Sequence, residues 1–298
     1  MSDKILTPTV IALGYFDSVH KGHQKVIKRA KEFALKNNAS LTVVSFGGNL
    51  RAALSNGEEK LVYTCRERQL LYEELGADNV FFLPTNKTFL NRGKVSFLNY
   101  INQKFNVIAY ACGEDYRFGR CGKGSVDDLV KYAKSKNQKV LIEKILSSGD
   151  DKISTTLIKK LLTDGKVKEV KSLLGRAYSL SGVVIKDRQV GKNLGFPTLN
   201  IIPVREKHPL KSAVYAGHCI VFGKEYKAII NYGARPTFAL NEVVVEAHLL
   251  GFDGDLYGKE ITLYFDEYLR EVMKFNSANE LKLRLEKDLK KVEEMQYD

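Results

Sequence analysis

The sequence predicts an α/β protein in two parts: an N-terminal doubly wound parallel sheet, then an antiparallel β-barrel with a C-terminal helix. Three observations carry this. Apolar strands alternate with amphipathic helices through the first half, and six short β-rich runs without intervening helices follow from about residue 177. A length of 298 residues suits about two domains, each with its own core. The expected domains are 1–178 and 179–298.

TVIALGYF (9–16) is a continuous apolar run, the pattern of a buried parallel strand. QKVIKRAKEFALKNN (24–38) places Val26, Ile27, Ala30, Phe33 and Ala34 on one helical face. LTVVSF (41–46), NVFFLP (79–84) and NVIAYACG (106–113) are further strands, separated by helices over RERQLLYEELG (66–76) and KVSFLNYINQKF (94–105). TTLIKKLLTDGKVKEVKSLLG (155–175) is helical. YSLSGVVIKD, GFPTLNII, AVYAGHCIVFG, EYKAIINYG, EVVVEAHLLGF and KEITLYFDEYL are the barrel strands, punctuated by Gly and Asp. A last helix opens with Ser277-x-x-Glu280, a capping-box pattern, and carries the stripe Leu281, Leu285, Leu289 and Val292.

The composition, 44% hydrophobic and 28% charged, is that of a soluble globular protein. The N-terminal apolar stretch is cut short at Gly14 and Asp17, and no run approaches the roughly 18 apolar residues of a membrane span. Cys65, Cys112, Cys121 and Cys219 show no CxxC pairing, the usage of reduced cytoplasmic thiols. The net charge of +12 attracts polyanions in general, but much of it lies on scattered helix-face lysines. Basic-aromatic nucleic-acid signatures are missing, so the expected partners are small molecules, with neither nucleic acid nor membrane.

GYFDSVHKGH (14–23) holds two of the five histidines at a strand-to-helix junction, which lies at the carboxyl edge of a parallel sheet, where ligands bind. A helix N-terminus there suits a phosphate, and two imidazoles add directional donors for charge developing on its oxygens. Gly22 would let the backbone approach closely. Competing readings are a metal pair, which lacks a third ligand at short spacing, and ordinary surface histidines. The GxGxxG dinucleotide fingerprint is missing.

Gly14-x-Phe16-Asp17-x-x-His20-x-Gly22-His23 resembles the HxGH signature of α/β nucleotidyltransferases. CGEDYRFGRCGKG (112–124) and ISTTLIKKLL (153–162) resemble segments of the bacterial bifunctional FAD synthetases. GKNLGFPTLNI (191–201), NYGARPTF (231–238), VEAHLLGFDGDLYGKEI (245–261) and LRE (269–271) resemble that family's riboflavin kinase module, in the family's order. The resemblance implies two reactions, phosphorylation of riboflavin by ATP to FMN and adenylylation of FMN by a second ATP to FAD and pyrophosphate, assisted by Mg2+. It implies His20 and His23 at the ATP phosphates with Gly14, Phe16, Asp17 and Gly22; Ser154, Thr155, Thr156 and Lys159 at the leaving pyrophosphate; and Gly113, Asp115, Arg117 and Phe118 on the adenylyl and flavin side. In the barrel it implies Thr198 and Asn200 as holders of Mg2+ and ATP phosphates, Gly191 and Lys192 in the phosphate loop, Glu246 as general base, and Tyr257 and Arg270 beside the flavin. The plain alternatives are an N-cap for Ser154, an outward strand position for Glu246, a solvent-facing Arg117, and structural roles for Tyr257 and Arg270.

The chain departs from the family pattern in places. Tyr15 stands for Asn, Ser18 for Gly, FGGNL (46–50) for FDPHP, Lys159 and Lys192 for Arg, and Asp187 for a glycine of the phosphate loop. Asp187 brings a negative charge toward ATP phosphates, and Lys192 lacks a planar fork. These changes predict a weakened kinase; the alternative is a monofunctional FMN adenylyltransferase whose second module only binds flavin.

Overall fold

The computed structural model describes residues 5–55, 59–148, 151–186, 195–234 and 243–296. Packing divides the chain into two compact units, Met1–Leu157 and Ile158–Asp298.

The first unit runs β1 (Ile5–Leu13), α1 (Lys21–Lys36), β2 (Ser40–Phe46), α2 (Leu50–Ser55), α3 (Cys65–Glu74), β3 (Asn79–Leu83), α4 (Lys87–Leu90), α5 (Lys94–Lys104), β4 (Phe105–Gly113), α6 (Val126–Lys134) and β5 (Lys139–Glu143). A short hairpin of β6 (Ser147–Ser148) and β7 (Asp151–Lys152) leads to α7 (Thr155–Thr163). The strands form a parallel sheet in the order β3-β2-β1-β4-β5. Central β1 buries Val10, Ile11, Ala12 and Leu13, which is why its sequence is a continuous apolar run. Val26, Ile27, Ala30 and Ala34 form the buried face of α1, with Phe33 half-buried beside them.

Two boundaries differ from expectation. β1 stops at Leu13 because Phe16 takes φ 44° and Val19 φ 43°, which no strand accommodates. α1 starts at Lys21, so His20 is its N-cap and His23 lies inside its first turn. Edge strand β5 and helix α6 have no counterpart in the sequence reading. β5 is mostly half-exposed, so KVLIE lacks the apolar run of a central strand, and α6 starts from a Ser125–Asp128 box with Asp in the place of the usual Glu or Gln.

The second unit holds α8 (Val167–Leu174), β8 (Tyr178–Ile185), β9 (Leu199–Ile201), β10 (Ala213–Val221), β11 (Lys224–Ala234), β12 (Val243–Leu249), β13 (Glu260–Glu271) and α9 (Ala278–Glu294). Its six strands close into a barrel in the order β10-β11-β12-β9-β8-β13, each pair antiparallel. Tyr178, Tyr215 and Phe265 fill its interior with tilted and edge-on ring contacts. Val292 of α9, with Leu289 beside it, packs on Val214, Ala216 and Ile229 of the barrel wall. Ser277 caps α9 by accepting the Glu280 N–H (3.1 Å), while the Glu280 carboxylate reaches the Asn276 N–H (3.0 Å), one residue before the expected box position.

The stretch 155–175 is two helices, broken at Gly165, whose φ of 76° favours glycine. The division by packing falls inside α7, and α8 packs on β8 and β13; both precede the expected boundary at 178/179.

Candidate active sites

In the first unit the loop from Gly14 to His20 crosses the carboxyl edge of the sheet. Its unusual backbone is over-determined: the Gly14 N–H donates to Val44 O, the Tyr72 hydroxyl to Phe16 O (3.2 Å) and the Ser45 hydroxyl to Tyr15 O (2.7 Å). Gly14 has no room for a Cβ because the Phe16 ring occupies that space.

His20 caps α1 with its ring, an uncommon way to satisfy a helix N-terminus. Its Nδ1 accepts the His23 N–H at 3.2 Å, which leaves the ring proton on Nε2. The two imidazoles stack with centroids 3.6 Å apart, and the Phe16 ring meets His23 edge-on at 5.2 Å. A Cβ at residue 22 would sit 3.0 Å from His20 Cε1, so Gly22 makes space for the stacked ring. Burial pushes the His20 imidazole down to about 4, with the Lys152 charge adding to the depression and Asp115 opposing it. Near neutral pH His20 is therefore an uncharged N–H donor, held in one tautomer.

Asp17 and Thr155 are both buried and meet across 138 positions of sequence: the Thr155 hydroxyl donates to Asp17 Oδ1 at 2.5 Å. Thr155 has one proton to give, so the Ser18 hydroxyl, 2.9 Å away, donates to it. Ser18, a departure from the family pattern, thus belongs to the buried network joining the loop to the start of α7. Ser154 accepts the Leu157 N–H at 3.2 Å, an N-cap bond, and Thr156 is exposed. Lys159 falls in the second unit, where its carbonyl lies 3.0 Å from His208 Nε2.

Gly113 ends β4, next to β1, and the Asp115 side chain after it pairs with Lys152 at 2.6 Å. Both charges act on His20, so this pair and the histidines share one neighbourhood. Arg117 is exposed. Phe118 lies in the hydrophobic core, 5.6 Å from the Phe97 ring, and supports the site through packing. Arg68, wholly buried beneath the loop, and Ser18 are functional candidates that the sequence reading missed; both depend on contacts between distant positions.

In the second unit the strand register assembles the polar groups. Glu246 of β12 pairs with Asn200 of β9 on one side and Asn231 of β11 on the other, which puts three polar side chains in one row on one face. The Thr198 hydroxyl donates to Glu246 Oε1 at 2.7 Å. Asn200 is buried, and Asn231 Oδ1 is a buried acceptor with no hydrogen-bond partner among the described residues. Asn231 stands within a quoted motif, but only the register reveals its neighbour. Thr198 and Tyr257 also line a cleft of about 360 Å3 with Val184, Phe252 and Asp255. Lys186 reaches to 5.5 Å from the centroid of the Tyr257 ring.

Arg270 is engaged elsewhere. Its Nε and Nη2 donate to buried Asp288 of α9 at 2.8 and 2.7 Å, so it fastens that helix to the barrel. Asp187, Gly191 and Lys192 lie outside the described residues, as do residues 235–238 of NYGARPTF. Among the described residues no three His, Cys, Asp or Glu side chains gather as a metal cluster.

Comparison with known proteins follows the same division. The family model for FAD synthetase matches residues 2–157, and that for riboflavin kinase matches 174–296. A bifunctional riboflavin kinase/FMN adenylyltransferase of Listeria monocytogenes is 32% identical over 94% of this chain and 90% of its own length. One of Bacillus subtilis is 31% identical over the same shares. A crystal structure titled as a macrolide-efflux protein from Streptococcus pneumoniae has a TM-score of 0.89 and 26% identity, covering 98% of this chain and all of that one. Among the described residues here, no helix is long and apolar enough to cross a membrane.

Proposed function

The chain belongs to the bifunctional riboflavin kinase/FMN adenylyltransferase family, and from that premise we infer which residues carry each half of its chemistry. The protein is an enzyme of FAD biosynthesis that phosphorylates riboflavin to FMN and transfers AMP from ATP to FMN, releasing pyrophosphate. Both modules are present, which favours the bifunctional reading over a lone adenylyltransferase. We assign adenylyl transfer to the first unit and riboflavin phosphorylation to the second, with the junction before the expected 178/179, because Tyr178 already belongs to barrel strand β8 and α8 packs on β8 and β13. The four free cysteines support a cytoplasmic setting.

In the N-terminal module the FMN phosphate attacks the α-phosphorus of ATP, so the protein's task is positioning and charge stabilisation. The observation that carries the assignment is the His20–His23 stack at the N-terminus of α1. His20 offers Nε2–H, a neutral donor pre-oriented by the His23 backbone, and His23 lies in the same helical turn. Asp17, Ser18 and Thr155 hold the loop to α7, whose first turn would receive the leaving pyrophosphate.

In the barrel module Glu246 accepts the proton of the riboflavin hydroxyl as its oxygen attacks the γ-phosphorus and the bond to the bridging oxygen breaks, releasing ADP; the Thr198 hydroxyl orients that carboxylate. Thr198 and Asn200 are hard oxygen donors few in number, a set that fits Mg2+ shared with ATP phosphates and water, and it leaves the Glu246 carboxylate beside them free of the ion for proton transfer. Bound there, the ion would neutralise phosphate charge. Tyr257 lines the cleft beside Thr198 and is assigned to substrate contact.

The test is incubation of the protein with ATP and Mg2+, starting from riboflavin in one arm and FMN in another, with flavins separated by chromatography. FMN and FAD are expected from the first and FAD from the second. No FAD from FMN would overturn the N-terminal assignment, and no FMN from riboflavin would overturn that of the barrel.

A further inference from the structure

Arg68 of α3 is wholly buried, and it heads the large side chains with no exposure. Buried guanidinium groups are ordinarily answered by a carboxylate. Here the fork meets only neutral groups. Nη1 donates to Tyr15 O (3.0 Å) and Ser45 Oγ (3.2 Å), and Nη2 to Phe46 O (3.0 Å) and Cys65 Sγ (3.1 Å). Nε has no hydrogen-bond partner among the described residues, and none of their carboxylates pairs with this side chain; the Asp17 carboxylate acts on the same Tyr15 and Tyr72 hydroxyls but takes its hydrogen bond from Thr155. The Tyr15 and Phe82 rings lie 5.2 and 5.6 Å from the guanidinium carbon, partial compensation for a full charge.

The position of this cation is informative. Tyr15 follows the carboxyl end of β1 and Phe46 closes β2, so the fork joins two adjacent strands beneath the loop that leads to His20. The Tyr15 hydroxyl extends the linkage: it donates to Gly48 O (3.3 Å) and accepts the Leu50 N–H (3.2 Å). Tyr15 and FGGNL, two departures from the family pattern, are thereby bonded to one another and anchored on Arg68. A carboxylate beside Arg68 would cancel its field at a mouth where two polyanions must enter.

We propose that Arg68 is a positioning residue of adenylyl transfer whose missing counter-ion is the phosphate chain of the bound nucleotide. The fork fixes the Gly14–Asp17 loop, and the charge biases the mouth of the sheet toward phosphates. This rests on the assignment of FMN adenylylation to the N-terminal unit.

The experiment supplies the missing carboxylate. Cys65 is half-buried at the first position of α3, where an acidic residue suits the helix dipole. Cys65→Asp places a charge beside the fork, and Cys65→Asn has the same shape without it. Inorganic pyrophosphate binding is read by calorimetry, with KM for ATP and kcat for FAD formation from FMN. One unit charge over ~10 Å at an effective dielectric constant of ~20 corresponds to about a tenfold change. The aspartate variant should bind pyrophosphate about tenfold more weakly than the asparagine variant and raise KM for ATP by a similar factor. Its kcat and riboflavin kinase rate should match; the Cys65 thiol also donates to Gly47 O (2.7 Å), a bond only the asparagine can keep, so the comparison is made where both variants unfold cooperatively. Equal pyrophosphate affinity in the two variants overturns the proposal. If the aspartate abolishes cooperative unfolding, Arg68→Lys decides: retained charge should keep pyrophosphate affinity within about threefold, and a loss of about tenfold or more overturns the idea. Absence of FAD formation by the unmodified protein would contradict the functional assignment instead, while pyrophosphate binding would still read the charge.

Discussion

The two units build their polar sites by opposite means. In the N-terminal unit the groups stand on a loop with two positive-φ residues, held by side chains far away in sequence: Arg68, Tyr72 and Thr155. In the barrel, Asn200, Glu246 and Asn231 stand in register on three adjacent strands, and the backbone ladder aligns them. A site held by scattered side chains should fail when a supporter is changed. One held by a ladder should fail mainly when the reacting group itself is changed.

The sharpest way to break that comparison is Glu246→Gln, which keeps the shape and removes the proton acceptor. FMN formation from riboflavin should fall about 10²–10⁴-fold while FAD formation from FMN is unchanged, measured as initial rates on one preparation. A smaller effect is expected from Arg270→Met, which leaves buried Asp288 with the partly exposed Arg284 at 3.2 Å. Leaving a buried charge wholly unpaired costs about 3–5 kcal/mol; with Arg284 still present the cost is below that, so thermal unfolding of the barrel unit should shift down moderately, and Arg270→Met with Asp288→Leu should recover much of it. Adenylyl transfer below that transition should persist.

Acid should distinguish the units too. His20 is held at about 4 in the folded protein against an ordinary 6.5. The unfolded chain therefore takes up a proton that the folded site refuses, and stability is lost as pH falls through this window. The loss is on the order of 3 kcal/mol at full extent. His20→Gln should flatten the stability profile of the N-terminal unit between these values, as followed by denaturant unfolding. The smallest effect is expected from Thr155→Val, which removes the hydroxyl shared by Asp17 and Ser18 and should cost the same unit about 1–3 kcal/mol.

The contrast also explains what could be read in the sequence. The α/β alternation and the six barrel runs were legible because central strands and amphipathic helices carry strong periodicity. β5 and α6 were not, since a half-exposed edge strand and a short helix carry little. His20, Gly22 and His23 were legible through their spacing, yet Gly22 makes space for an imidazole, which spacing alone does not disclose. Thr155, Ser18 and Arg68 join positions tens of residues apart, and their meeting is a product of the fold. Glu246 was legible through the resemblance of VEAHLLGFDGDLYGKEI to the riboflavin kinase module; Asn231 beside it needed the register. Arg270 resembled a flavin contact but is engaged with Asp288, and no local pattern foretells a partner in another element.

The central claim is that one chain carries two separate sites. The most direct measurement is His20→Ala assayed in one preparation for both activities. FAD formation from FMN should fall about 10²–10³-fold, while FMN formation from riboflavin stays at the unmodified rate. Parallel loss of both activities with cooperative unfolding intact would contradict it.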